Sequence, residues 1–220
     1  MKKLSIINEN IFDGIGKRSK GGVKRKEDEV EQVDLGLPSG TIWATCNLGA
    51  SSPEECGDYY AWGETKPKYC YYWDNYKFGD RDNLTKYNKE DGKTILDLED
   101  DAANAVLGGK WHIPTSEQIN ELFNNTTNEY SELNGVEGRL FKSKTNDNTL
   151  FFPYSGYKSG CYVNEDICQY WSSSTYINFN GAIIIDPVYY NKHKSDFEKN
   201  INTWCWRCYG ICVRGVLDKK

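Results

Sequence analysis

GGKWHIPTSEQINELF, residues 108–123, decides how the rest of this chain is read. Trp111 and Ile113 fit an extended segment that Pro114 ends. Thr115 is a natural helix N-cap, because its hydroxyl can accept from the otherwise unpaired amide of Gln118. Gln118 can reach back to the amide of Thr115 and complete a capping box. Ile119, Leu122 and Phe123 then fall on one apolar stripe, while Glu117, Asn120, Glu121 and Asn124 face water. The stretch predicts a strand running into a short helix that packs on a sheet.

Working outward, residues 100–107 read as a brief helix with an acidic start, closed by Gly108 and Gly109. The carboxylates Asp97, Glu99, Asp100 and Asp101 are expected to form a solvated cap rather than an acid/base pair. Strand-like runs follow at 138–144, 149–153, 170–174, 182–186 and 204–216, with long loops expected at 155–168 and 187–203. Upstream, 41–49 and 57–63 also read as strands. Residues 66–93 read as a long loop held down by Tyr71, Trp73, Tyr76 and Phe78. Two short helices, an antiparallel sheet and large loops make an α+β domain. No run approaches 18 apolar residues, so no membrane insertion is expected.

Residues 1–32 differ in kind from the domain at 33–217 and the charged tail at 218–220. The first 26 residues hold eight Lys or Arg against two acids; the remainder holds 19 against 30. Asn8, Glu9 and Asn10 interrupt the only early apolar stretch, so no secretion signal is expected. One reading is a solvated flexible leader, kept from helix by Gly14, Gly16, Gly21 and Gly22. The other is a docking arm in which Lys17, Arg18, Lys20, Lys24, Arg25 and Lys26 meet an acidic partner surface. Nucleic acid is disfavoured, because the acidic domain would repel phosphates.

Eight cysteines with no export signal are expected to stand mostly as reduced thiols. Cys205, Cys208 and Cys212 suggest a metal cluster. If 204–216 is one strand, however, Cys205 and Cys208 point to opposite faces, and Cys208 lies roughly 13 Å from Cys212. No metal or other cofactor is expected. His112 sits in a structural turn, and Ser172, Ser173 and Ser174 lack a nucleophile elbow.

The aromatic residues divide in two. Trp43, Trp62, Trp111 and Trp171 sit in strand-like segments and are assigned to the core. Tyr176, Phe179, Tyr189, Tyr190, Trp204, Trp206 and Tyr209 are interleaved with Asn178, Asn180, Asn191 and His193 around the last loops. Tyrosine, tryptophan and asparagine on loops over a rigid sheet supply flat amphipathic area with adaptable hydrogen bonds, so this group is the expected ligand face. Trp204 and Trp206 share a face in a strand. With both turned inward, Arg207 would face water; with both outward they present one aromatic surface.

Four pieces of the chain also resemble a known family. VDLGLPSGTIWATCNLGASSPEECGDYYAWGET (33–65), LEDDAANAVLGGKWHIPT (98–115), QYWSSSTY (169–176) and CYGICVRGV (208–216) are similar, in that order, to motifs of the Fibrobacter succinogenes major paralogous domain. The resemblance implies a C-type-lectin-like fold, shared with formylglycine-generating enzymes. Related domains occur in phage receptor-binding proteins and in targets of diversity-generating retroelements, and the basic leader resembles those of gut-phage structural proteins. What this implies is a non-enzymatic module on a virion, made in the host cytoplasm. The arm would dock on a virion structural protein, the C-terminal loops would bind a host-surface glycan or protein, and the chain would form a homo-oligomer such as a trimer. Alternatives are a bacterial ligand-binding protein, in the cytoplasm or at the cell surface, and a cysteine oxidase using Cys205 and Cys208.

Overall fold

Thr115 does cap a helix. In the computed structural model, which describes residues 30–164, 167–176, 180–185 and 203–219, the Gln118 amide donates to Thr115 Oγ1 at 3.2 Å. The Thr115 amide donates to Gln118 Oε1 at 2.9 Å. Helix α2 (Ser116–Asn125) follows, with Ile119 and Leu122 buried. The shorter α1 (Ala102–Leu107) starts at Asp101, whose Oδ1 accepts from the Asn104 amide at 3.0 Å, and ends at Gly108 with φ 77°. Residues 111–114 do not form a regular strand. His112 alone pairs, in an isolated bridge to Val216.

The strands are short and belong to three sheets among the described residues. β1 (Gln32–Asp34) and β13 (Val216–Leu217) lie on either side of β2 (Ile42–Ala44), so early and late parts of the chain share one sheet. A second sheet is the meander β4 (Thr126–Leu133), β5 (Val136–Ser143) and β6 (Thr149–Pro153). The largest sheet contains β3 (Tyr59–Tyr60), β7 (Tyr157–Ser159), β8 (Tyr162–Asn164), β9 (Tyr170–Tyr176), β10 (Gly181–Ile185), β11 (Trp204–Trp206) and β12 (Gly210–Cys212). Its order is β11-β10-β9-β12-β7-β8, with β3 also on β12. The α+β class holds. No helix among the described residues is long and apolar enough to cross a membrane.

Three expectations need correcting. Residues 155–168 are not simply a loop, because β7 and β8 form a hairpin there. Residues 204–216 are not one strand: the Tyr209 amide donates to the Trp206 carbonyl at 3.0 Å and turns the chain between β11 and β12. The opposite-face argument about Cys205 and Cys208 therefore loses its premise. The acidic run is not a solvated cap either. Asp100 and Asp101 are 3% and 2% exposed, and the second Asp101 oxygen accepts from the Ile113 amide at 2.8 Å. Burial pushes the Asp101 carboxyl above its ordinary range, while the two amides and His112 pull the other way.

Strand β9 joins the two halves of the core. Successive side chains on a strand leave on opposite faces. Tyr170 accordingly enters a cluster with Trp43, Ile119, Leu122, Phe141 and Phe152. Trp171 enters the other, with Trp62, Trp111, Tyr71, Phe78 and Tyr87. All four tryptophans assigned to the core are fully buried. The serines after Trp171 dock α2: the Ser173 amide donates to the Pro114 carbonyl at 2.8 Å, and the Ser116 amide donates to Ser174 Oγ at 3.0 Å.

Arg214 locks the sheets together with no carboxylate partner among the described residues. Nε donates to Asn47 Oδ1 at 2.8 Å, Nη1 to the Ala44 and Thr45 carbonyls, and Nη2 to the Phe151 carbonyl at 3.1 Å. Its guanidinium also lies 4.8 Å from the Phe152 ring centroid.

Candidate functional site

The last strands bring several of the nominated residues together. Trp204 and Trp206 leave β11 on one side, with ring centroids 5.1 Å apart in an edge-to-face contact. Tyr176, at the end of β9, stacks on Trp204 at 5.8 Å and 5°. That stack needs a bare backbone beneath it, since a Cβ on Gly181 would lie 2.6 Å from the Trp204 ring. Tyr209, beyond the turn, stacks on Tyr157 of β7 at 5.5 Å and 10°. Asn180 precedes β10 at φ 52°, a left-handed conformation that asparagine tolerates. Its Nδ2 donates to the Arg81 carbonyl at 2.8 Å. Asn178, Phe179, Tyr189, Tyr190, Asn191 and His193 lie outside the described residues, as do Lys17, Arg18, Lys20, Lys24, Arg25 and Lys26.

Sequence reading missed the residues that complete this wall. Trp73, in a 3-10 turn at Trp73–Asn75, meets Trp206 edge-on at 6.0 Å. The Arg81 guanidinium stands 4.8 Å over the Trp206 ring. Both come from the loop at 66–93, more than a hundred residues before β11, and no local pattern links them. Trp73, Tyr157, Tyr176, Trp204, Trp206 and Tyr209 are all half-buried, and Trp73, Tyr157, Trp206 and Tyr209 pack against the core.

Arg207 holds the turn from beneath and corrects the expectation that it could face water. It is fully buried. Nε donates to the Gly181 carbonyl and Nη1 to the Tyr87 carbonyl, both at 2.9 Å, while the guanidinium lies 4.8 Å from the Trp62 ring centroid. With Arg207 inward, Trp204 and Trp206 fall on the other side of the chain, the second of the two arrangements that alternation allowed.

The cysteine expectation is corrected at one pair. Cys70 and Cys161 form a disulfide between the loop at 66–93 and the tip of the β7–β8 hairpin. The other six cysteines carry no disulfide. Burial pushes Cys208 and Cys212 up to about 12, so neither is a ready thiolate at neutral pH.

Away from the wall, Asp97, Glu99 and Asp100 bring one carboxylate oxygen each within 4.8 Å of one another. A lysine ammonium already sits among them, with Lys86 Nζ 2.7, 2.9 and 2.6 Å from the three. The bonds from Lys86 and then Lys93 hold the Asp97 carboxyl down at about 2. The cluster is an ion-pair knot that anchors the loop. A cavity of about 410 Å³ lies between Val30, Cys46, Gly49 and Val106, and no nominated ligand residue lines it.

No family model, curated protein or solved structure matches the chain. What the site can do follows from its own chemistry: flat, partly exposed rings on a rigid sheet, with an arginine and an asparagine at the rim. Such a surface can stack on a sugar ring or a planar side chain and direct hydrogen bonds at its edges.

Proposed function

We propose that the chain is a binding module without a catalytic role, of C-type-lectin-like architecture. In this reading the aromatic wall of β11 and the loops around it recognise a host-surface glycan or protein, and the module is carried on a phage particle. One observation carries the binding part: six aromatic side chains from four separate segments gather, half-buried, in two contacting groups at either end of the turn between β11 and β12. A core would bury such rings, and a surface without a partner would not gather them. The lectin-like architecture is supported by two short helices beside antiparallel sheet and long loops. The virion setting rests on the sequence resemblance.

The Cys70–Cys161 bridge favours a second setting, the bacterial cell surface, because disulfides persist where the surroundings are oxidising. Against the oxidase reading stands the Cys208 thiol, fully buried and pushed up to about 12.

The test is binding of the purified full chain to a glycan array and to intact Bacteroidales cells, beside a Trp73→Ala, Trp204→Ala double variant. The wild type should bind a restricted set of targets, and the variant should melt near the wild type yet lose at least about tenfold in affinity. A wild type that binds neither probe, or a folded variant that binds as well, overturns the reading.

A further inference from the structure

The Cys70–Cys161 bridge joins two segments that each pack on part of the aromatic wall. Residues 66–75 carry Trp73 against Trp206. The β7–β8 hairpin carries Tyr157 against Tyr209. We propose that this bridge is a site of thiol–disulfide exchange, and that its reduction by a dithiol loosens both flanks and lowers the affinity of the wall. The inference rests on the binding-module reading above.

The two parts of the loop at 66–93 are held differently. Residues 76–87 are anchored by burial, with Tyr76, Phe78 and Tyr87 all in the core. Ion pairs from Lys77 and Lys86 to Asp100 add to this. Residues 66–75 have one deep anchor, Tyr71, whose hydroxyl donates to the Tyr59 carbonyl. Around it Tyr69 and Tyr72 are 83% and 48% exposed. Trp73 packs against the core and on Trp206, Lys68 pairs with Glu64, and further ties run to the hairpin tip: the Tyr71 and Gly160 amides each donate to the other's carbonyl at 2.9 Å, and the disulfide lies beside them. The hairpin itself is attached to β12 by two residue pairs, Gly210 with Lys158 and Ile211 with Tyr157. The bridge ties the two flanks to each other covalently, so breaking it frees each to move without the other.

The bridge is also reachable. Cys70 and Cys161 are both partly exposed. A thiolate of the dithiol attacks one bridge sulfur, and the S–S electron pair leaves on the other cysteine, which takes a proton. The second thiol of the reagent then displaces the first cysteine. The reductant departs as its cyclic disulfide, and two cysteine thiols remain.

Hydrogen exchange of the full chain, with and without dithiothreitol, tests this without any ligand. Reduction, verified by a rise from six to eight titratable thiols, should speed exchange in 66–75 and 157–164 by at least about tenfold while leaving β9 protected. A Cys70→Ser, Cys161→Ser variant should show the same pattern with no reductant. Unchanged exchange after reduction overturns the inference, and so does exchange that rises equally in β9, which would mean global unfolding. Binding to Bacteroidales cells, measured alongside, should fall at least about fivefold, which is about 1 kcal/mol. Binding that persists undiminished while the flanks loosen also overturns the inference. Absent binding in both redox states sinks the binding-module reading instead.

Discussion

Strand β10 has Trp171 opposite Ile184 on one side and Trp204 opposite Ile183 on the other. The two tryptophans flank the same strand yet have different surroundings. Trp171 is fully buried, and its indole nitrogen donates to the Tyr60 carbonyl at 2.7 Å. Trp204 is half-buried, stacked on Tyr176 and edge-on to Trp206. The difference follows from what backs each strand. β9 lies in the middle of the large sheet with clusters on both faces, whereas β11 ends the sheet's path among the described residues. The same residue type is sealed inside the core in one place and, in the reading proposed above, a contact element in the other.

The comparison can be broken at its strongest point first. Trp171→Ala should cost about 3–5 kcal/mol, read from the denaturant midpoint, because it leaves a cavity in the core and orphans the Tyr60 carbonyl. A silent substitution would dissolve the distinction. Arg214→Met should cost about 2–4 kcal/mol by stranding the buried acceptors it now serves. Arg214→Lys should recover little, since one ammonium cannot span that fork. Thr115→Ala should cost about 1 kcal/mol through the lost cap.

Trp204→Ala should sharpen the contrast from the other side, with a stability loss well below that of Trp171→Ala but a large loss in binding. If its melt falls as far, the wall is core.

The smallest effect expected is in acid. The Asp97 carboxyl, held at about 2 by Lys86 and Lys93, contributes stability in full above the ordinary aspartate range near pH 4. That contribution fades as pH falls through 2. Lys86→Met should flatten this part of the stability–pH curve by a modest amount, because Asp97 is about one-third exposed and solvent screens the pair.

Local chemistry made parts of the fold readable. The Thr115–Gln118 box and the four core tryptophans follow from spacing within a few residues. The hairpin between β4 and β5 was also within reach: Asn134 and Gly135 form a two-residue turn with φ 51° and 84°, the pattern Asn-Gly favours. It was missed because α2 passes straight into β4 at Thr126, with no glycine or proline to mark the change. The turn between Trp206 and Tyr209 carries no such marker either. The wall was legible only on its C-terminal side. Trp73, Arg81 and Tyr157 join it through tertiary packing, and the Cys70–Cys161 pairing spans 91 residues of sequence.

The placement of β13 has a consequence for how the protein is made. β13 completes the sheet begun by β1 and β2, and Arg214 reaches Asn47 across 167 residues of chain. A ribosome adding about 5–20 residues per second needs roughly 10–30 s to span that interval. Throughout it Trp43 has no β13 beside it, and the Ala44 and Thr45 carbonyls have no arginine to bond. Native closure therefore waits until β13 has been made, and a product stopped before Arg214 would lack the strand and the arginine that close the sheet.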